Sequence, residues 1–262
     1  MNFYSPFKNS IYKELQKMTK EFAALAVAAC CAAPAYAFEG TVGLGAHVFD
    51  YGYRATDAKT YPVPAISVET EHFYLKGLEA GAYVLKTDRQ RLSVGISYMP
   101  LSFDANDSDD RRMKRLDDRD ASVFANVGYS LDTGFGMLNV QLGGDISGKS
   151  DGFMGDVNFM KRFAFGEFGI TPQIGAIWTS DKFNQYYYGI SAAEAKKSGL
   201  DRYDPERGVS PYVRLMADWQ VTDRISLYAE SSLRVYSNEI KDSPMIDKDY
   251  AYGFGCGVSY RF

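Results

Sequence analysis

The last twelve residues, Ala251–Phe262, read AYGFGCGVSYRF and alternate between two faces without interruption. Successive side chains of a β-strand point to opposite faces, so the stretch is predicted to be a strand with two unlike faces. Such a strand suits a transmembrane β-barrel, which has lipid outside and a polar interior. One face carries glycine, alanine, serine and arginine, and the other carries Tyr252, Phe254, Cys256, Val258, Tyr260 and Phe262.

The chain stops at an aromatic residue, as bacterial outer-membrane barrels usually do. Tyr260 and Phe262 are therefore predicted to form the C-terminal signal that the barrel-assembly machinery recognises. This ending indicates the outer membrane of a Gram-negative bacterium as the location.

The N-terminal region has the three parts of a secretory signal peptide. Lysines precede a short apolar core at Phe22–Ala33, and Ala35–Ala37 is an A-x-A cleavage site. Residues 1–37 are predicted to be the signal peptide and residues 38–262 the barrel. The polar stretch before the lysines is unusually long, so we predict that translation starts at Met18, with a long n-region as the alternative.

Cleavage after residue 37 would remove Cys30 and Cys31 and leave Cys256 alone, so the mature chain is predicted to have no intrachain disulfide. The sequence before Cys30 also resembles a lipoprotein cleavage box. Its apolar core is short for a signal, and the A-x-A site lies directly before the first strand, so cleavage after residue 37 is favoured.

The rest of the chain repeats the pattern of about ten alternating residues followed by a turn or loop. An even number of strands returns both termini to the periplasmic side, and short periplasmic turns then alternate with long extracellular loops. We predict an all-β, antiparallel barrel of twelve strands, or of ten if residues 70–87 form a single strand. The segments are 39–49, 62–70, 72–76, 78–86, 91–99, 121–131, 138–146, 153–163, 168–179, 213–221, 225–235 and 251–262; the predicted long outer loops are Asp50–Tyr61, Phe103–Asp120, Thr179–Gly208 and Ser237–Asp249.

Alternation by itself also fits a soluble barrel or sandwich with its apolar face inside. The export signal, the terminal aromatic residue and a charged set opposite clean aliphatic rows favour the membrane barrel. No run of about 20 apolar residues follows the N-terminal region, which argues against a helical membrane protein. The net charge of −4, without a basic stripe, argues against nucleic acid as a partner.

The charged set lies on the polar faces of two neighbouring predicted strands, so it should face the lumen. Two interpretations are open: the side chains pair across the two strands as a network that fills the barrel, or they line a small polar pore. We favour the filled lumen. The set comprises Arg214, Asp218, Glu230 and Arg234.

The longest predicted outer loop contains a capping box, Ser191 with Glu194, followed by alanines, lysines and Gly199. This pattern predicts a short helix over residues 191–198. The aromatic stretch before it is typical of an interfacial girdle or of a surface that stacks on a ligand. The candidate binding surface comprises Tyr186, Tyr187, Tyr188, Arg202 and Tyr203.

Three stretches carry a resemblance to a known family: YYGISAAEAKKSGLDRYD at residues 187–204, DSPMID at residues 242–247 and GVSYRF at residues 257–262. They resemble the MipA/OmpV family of outer-membrane proteins. The resemblance implies a β-barrel. One member is described as a scaffold that joins a lytic murein transglycosylase to a murein synthase, and others as antigens or porin-like proteins. It defines no contact residues, and none is transferred.

No catalytic, cofactor-binding or metal-binding residues are predicted. The chain has only two histidines, His47 and His72, and lacks a G-x-S-x-G elbow and zinc-ligand spacing. The aspartates of residues 104–120 lack the spacing of an EF-hand and are mixed with basic residues, which favours a solvated loop near lipopolysaccharide. The leading hypothesis is a non-enzymatic scaffold for murein enzymes; the alternatives are a small-solute channel and a surface-binding protein. The oligomeric state is not predicted.

Overall fold

The computed structural model describes residues 40–262, which form a closed antiparallel β-barrel. Each strand pairs with its neighbours in the chain, and the last strand pairs with the first. The predicted signal peptide and its alternatives lie outside the described residues. The strands are β1 Gly40–Asp50, β2 Lys59–Glu69, β3 Phe73–Lys76, β4 Glu79–Lys86, β5 Gln90–Met99, β6 Ser122–Asp132, β7 Met137–Asp145, β8 Phe153–Met160, β9 Phe163–Phe165, β10 Phe168–Thr179, β11 Gly208–Gln220, β12 Ile225–Val235 and β13 Tyr250–Arg261.

The wall has twelve strands, as predicted. Both β8 and β9 pair with β10 and are separated by Lys161 and Arg162, so they form one interrupted strand. The doubtful region 70–87 forms two short strands, β3 and β4, which confirms twelve rather than ten. Five connections are short and lie at the periplasmic end, where both described chain ends also lie.

The alternation of the last strand is confirmed. Phe254 is 54% exposed on the outside, whereas its neighbour Gly255 is buried on the inside. Other strands follow the same rule, with Leu44 and Ile174 more than 60% exposed on the outer face. A band of large apolar groups on the outside is stable only when lipid covers it. Cys256 lies on this lipid face, as expected from its place in the alternation.

Glycines on the inner face make room for aromatic rings that lie flat against the wall. A Cβ atom at Gly45 would lie 2.1 Å from the hydroxyl oxygen of Tyr228, and the same ring crowds Gly257. The His47 ring lies in the same way over Gly255. These rings therefore lie flat along the inner wall, and this arrangement requires glycine on the neighbouring strand.

The hairpin of β3 and β4 is too short to fill its part of the wall. It turns at Gly77, whose N–H donates to the carbonyl of Ile66 at 2.8 Å, and the carbonyl of Leu78 accepts from the N–H of Tyr98 at 3.0 Å. Beyond this level no backbone hydrogen bond within the described residues reaches the free edge of residues 59–65. We call this unpaired part of the wall the seam.

Prolines occupy the edge of the seam. In an antiparallel strand alternate residues direct their backbone groups to the same edge. Since the carbonyl of Ile66 points to the hairpin, Pro62 and Pro64 also face the seam. A proline has no N–H, so neither residue leaves an unpaired backbone donor at this edge. An ion pair between Lys59 and Asp107 at 2.5 Å ties the loop after β5 beside this edge.

Candidate functional site: a capped lumen

The long outer loops fold together over one end of the barrel. They contain three short helices, α1 Asp181–Tyr188, α2 Ala192–Ser198 and α3 Asn238–Lys241, and two 3-10 turns, Ala105–Asp107 and Met113–Arg115. We call this assembly the cap. Within residues 40–262 no helix has the length and apolar character needed to cross a membrane.

The predicted helix after Ser191 is confirmed as α2. The Ser191 hydroxyl accepts from the N–H of Glu194 at 3.2 Å, and the Glu194 carboxylate accepts from the N–H of Ser191 at 3.0 Å. Gly199 ends the helix in the left-handed region, at φ 76°. This conformation suits glycine, which is why the local pattern was sufficient to locate the helix.

Helix α1 was not predicted, although the sequence contains a start signal for it. The Ser180 hydroxyl accepts from the N–H of Phe183, and Asp181 lies in the first turn, where the helix dipole favours an acidic side chain. Aromatic residues have modest helix propensity, so the run of three tyrosines does not by itself predict a helix. Burial of one face of α1 supplies the stability that propensity lacks.

The cap has a hydrophobic core built around α1. Phe183, Tyr187 and Tyr188 are completely buried. The rings of Phe183 and Tyr187 lie 4.8 Å apart, centre to centre. The remaining buried members of the core are Tyr53, Leu101, Phe103, Ala105, Met113, Leu116, Phe124, Ile190, Leu200, Tyr236, Ile240, Met245 and Ile246.

This core extends across the mouth of the barrel. Met99 of β5, Phe124 of β6, Met154 of β8 and Ala251 of β13 all belong to it or pack against it. The strands β5, β6 and β8 are close neighbours in the wall, and β13 lies on the other side of the barrel. The apolar cluster therefore reaches across the outer end of the lumen.

Buried hydroxyl groups fasten the cap to the wall. The Tyr187 and Ser122 hydroxyls share a hydrogen bond of 2.8 Å, which joins α1 to β6. The Tyr236 hydroxyl donates to the carbonyl of Tyr51 at 2.6 Å, and the Tyr53 hydroxyl donates to the carbonyl of Tyr187 at 3.1 Å. Burial raises the pKa of Tyr53 and Tyr236 well above the ordinary value, so both remain donors at physiological pH.

A buried ion pair joins two of the cap segments. Arg119 donates to Glu194 at 2.7 Å, and both side chains are at least 93% buried. Burial alone would raise the pKa of Glu194. Hydrogen bonds from the Ser191 backbone and from Arg119 outweigh this effect and lower the pKa to about 2. The pair therefore stays charged inside the cap.

The predicted outer surface is divided between the core and the exterior of the cap. Tyr187 and Tyr188 belong to the core, which corrects the expectation that they present a surface. Tyr186 and Tyr203 are half-buried, and the Tyr203 hydroxyl donates to the carbonyl of Glu239 at 3.0 Å. Arg202 is exposed. The sequence could not show that several loops pack on the same helix.

The predicted lumen charges face inward, but two of them take partners outside the set. Asp218 accepts two hydrogen bonds from Arg162, at 2.6 and 3.2 Å. Glu230 lies 3.1 Å from the imidazole nitrogen of His47, on the opposite side of β13. Pairing across β11 and β12 is therefore not what the structure shows, because the register of the two strands places Met216 opposite Glu230 and Tyr228 opposite Asp218.

The two arginines of the set occupy different levels of the lumen. Arg214 is exposed inside the barrel, whereas Arg234 lies under the cap with its guanidinium group 5.4 Å from the centre of the Tyr236 ring. Thr41 and Gly45 are partly exposed on the inner wall below them. The inner wall below the cap is thus only partly buried.

A belt of polar side chains crosses four strands of the inner wall. Asn139 donates to Asn158 at 2.9 Å, and Asn158 donates to Asp156 at 2.6 Å. The Tyr212 hydroxyl donates to Asp156 at 3.0 Å and accepts from Gln173 at 3.0 Å. Sequence alternation predicts that these groups face inward but not which of them bond.

The C-terminal residues complete the wall. The Tyr260 hydroxyl accepts from Arg224 at 3.0 Å, and the N–H of Phe262 donates to the carbonyl of Gly40 at 3.1 Å. Both aromatic rings are more than 40% exposed on the lipid side. Within residues 40–262 no three acidic, histidine or cysteine side chains converge as a metal site would require.

The comparison with known families agrees with this architecture. The family model described as "MltA-interacting protein MipA" matches residues 42–262, nearly all of the described barrel. This chain belongs to the MipA family. Its resemblance to MipA/OmpV proteins is thereby confirmed, together with an outer-membrane location.

Two relatives illustrate the range of this MipA family. The MltA-interacting protein of Escherichia coli (strain K12) is 36% identical over 222 residues, which are 85% of this chain and 90% of the relative. The outer membrane protein OmpV of Vibrio cholerae serotype O1 is 24% identical over 150 residues, 57% of this chain and 58% of the relative. A solved NanC porin structure is 13% identical with a TM-score of 0.41, covering 86% of this chain and all of that chain.

Proposed function

We propose that this chain is a non-enzymatic scaffold that docks murein-modifying enzymes at the periplasmic face of the outer membrane. The observation that carries the proposal is the difference between the two ends of the barrel: the core of the cap spans the outer end, whereas inner-wall groups toward the periplasmic end are partly exposed. The name of the 36% identical relative, MltA-interacting protein, supports the same kind of partner, a murein transglycosylase.

The inner wall of the barrel adds to the surface that a periplasmic partner could contact. The periplasmic turns are short, so they offer little surface to a partner. The inner wall and its rim add charged groups that are accessible from the periplasm, among them the Arg162–Asp218 pair and Arg214. A partner segment that enters the lumen would contact groups that the turns lack.

Site-specific photo-crosslinking in intact cells tests the proposal. A photoreactive residue is placed at Thr133 in a periplasmic turn or at Ser67 on the inner wall, and a matched one at Arg202 on the outer cap. We expect the first two positions to capture a lytic murein transglycosylase and the cap position to capture none. Absence of the transglycosylase at both periplasmic positions, with normal barrel assembly, would refute the scaffold proposal.

A small-solute channel is the second candidate, because a polar belt lines the lumen. This function requires the cap to move aside, since its core spans the mouth. A surface-binding function is less favoured, because the tyrosines Tyr187 and Tyr188 are buried. Conductance measurements separate the channel from the scaffold.

A further inference from the structure

A groove runs along the lipid-facing side of the barrel between β8 and β12. Its volume is about 620 Å³. Phe159 and Phe163 form one border, and Leu233 lies on the opposite border. Between these borders lie the outward-facing side chains of Pro172, Ile174, Val213, Leu215 and Ser231.

Small side chains on either side of Leu215 line part of the groove. Pro172, Leu215 and Ser231 are in register across β10, β11 and β12. The serine and the flat proline ring rise little above the wall, whereas the flanking phenylalanines project from it. The result is an apolar furrow on the lipid face of the barrel.

A single cation borders this furrow. Lys161 interrupts the strand between β8 and β9, and its ammonium group lies 5.3 Å from the centre of the Phe163 ring. It forms no ion pair within the part of the chain that the structure describes. A lysine on the lipid face is unfavourable unless it reaches an anion or the interface.

The position of Lys161 identifies the side of the membrane. Four residues separate it from Gly166, which turns the chain at the periplasmic end. A flexible lysine side chain at this depth extends toward the periplasmic interface. Its electrostatic partner should therefore be an anionic group in the periplasmic leaflet.

We propose that this groove binds one phospholipid of the periplasmic leaflet. An acyl chain occupies the furrow between Phe159 and Leu233, and the phosphate pairs with the ammonium group of Lys161. The apolar furrow and the lone cation match the two parts of such a lipid. This inference is independent of the scaffold proposal, since it concerns the outer wall.

Native mass spectrometry of the full mature barrel, titrated with phosphatidylglycerol in detergent, tests the site. We expect the unmodified protein to retain one lipid saturably. Lys161→Gln removes the cation, and Ser231→Phe fills the furrow; each should weaken retention at least tenfold. Lys161→Arg should keep it. Cys256→Phe makes a similar small-to-aromatic change on the lipid face of β13 and should leave retention unchanged.

Circular dichroism and heat-modified gel mobility verify that every variant is folded. Equal lipid retention by all folded variants, or uptake of many lipids without saturation at one, would overturn the proposal. A dimer that forms without lipid and is disrupted by Ser231→Phe would also overturn it, because a second copy of the chain would then occupy the groove.

Discussion

At the scale of single residues, the cap depends on the buried pair of Arg119 and Glu194. Glu194 caps α2 through Ser191 and also accepts from Arg119, so one carboxylate links a helix end to the loop after β5. Arg119 in turn donates to the carbonyl of Gly189 at 3.2 Å. Removal of either charge would leave the other buried without its partner, which is costly.

Arg119→Ala should destabilise the cap by about 3–5 kcal/mol, because Glu194 would remain buried without its cation. The measurement is hydrogen exchange of the α2 amides in the detergent-solubilised barrel. Asp117→Asn is the matched control, since it breaks the exposed pair with Lys197 in the same cap. This control should cost at most about 1 kcal/mol. Equal effects of the two substitutions would contradict the importance of the buried pair.

The cap should loosen in acid. The pKa of Glu194 is lowered from 4.5 to about 2 in the folded protein. A lowered carboxyl pKa contributes stability that is fully present above the unfolded value and is lost as the pH falls through the folded value. Protease cleavage of the cap should therefore increase between pH 4.5 and 2. The cap of the Glu194→Gln variant should be less stable at pH 7, and its cleavage should not increase in this way as the pH falls. If the variant showed the same increase as the unmodified protein, Glu194 would not be the group responsible.

At the scale of elements, regular alternation was enough to locate most strands, and local capping chemistry was enough to locate α2. The terminal strand was clear because its glycines and aromatics alternate over twelve residues. Contacts that join distant segments were not predictable. The burial of Tyr188 and the pairing of His47 with Glu230 depend on how loops and strands close in space, and no local pattern encodes that.

The seam provides a test at this scale. Pro62→Thr and Pro64→Thr each restore an N–H directed at the unpaired edge of β2. A buried donor without an acceptor costs about 1–3 kcal/mol, so each variant should lower the free energy of unfolding by that amount. The measurement is urea unfolding in lipid vesicles. Val48→Thr on the neighbouring strand is the control, because both edges of β1 are paired there. If all three variants were equally stable, the restored N–H groups would not be without acceptors, and the seam would not be an unpaired edge.

At the scale of the whole molecule, the cap covers the outer end of the barrel, and the other end faces the periplasm. The apolar rows face lipid, the polar belt faces the lumen, and the core of the cap closes the outer end. Twelve strands leave a lumen of intermediate width, so closure depends on the loops rather than on strand number. Asp218 and Glu230 of the predicted charge set pair with Arg162 and His47, and the apolar core of the cap spans the outer mouth.

Loss of one core ring should open the lid. Phe183 is completely buried, and Phe183→Ala should destabilise the cap by about 3–5 kcal/mol through the cavity that it creates. We expect ion conductance across planar bilayers to appear in this variant. Phe135→Ala removes the same ring from a periplasmic turn, where it is 77% exposed, and should have no effect on conductance. Equal conductance of the two variants would be inconsistent with a lid formed by α1.

The most direct test of closure by the cap is the single-channel conductance of the unmodified protein in a planar lipid bilayer. The sealed outer mouth predicts no steady conductance at moderate voltage, although the barrel is inserted and folded. A stable open-channel current in the unmodified protein, with the cap shown to be intact by protease resistance, would contradict the account.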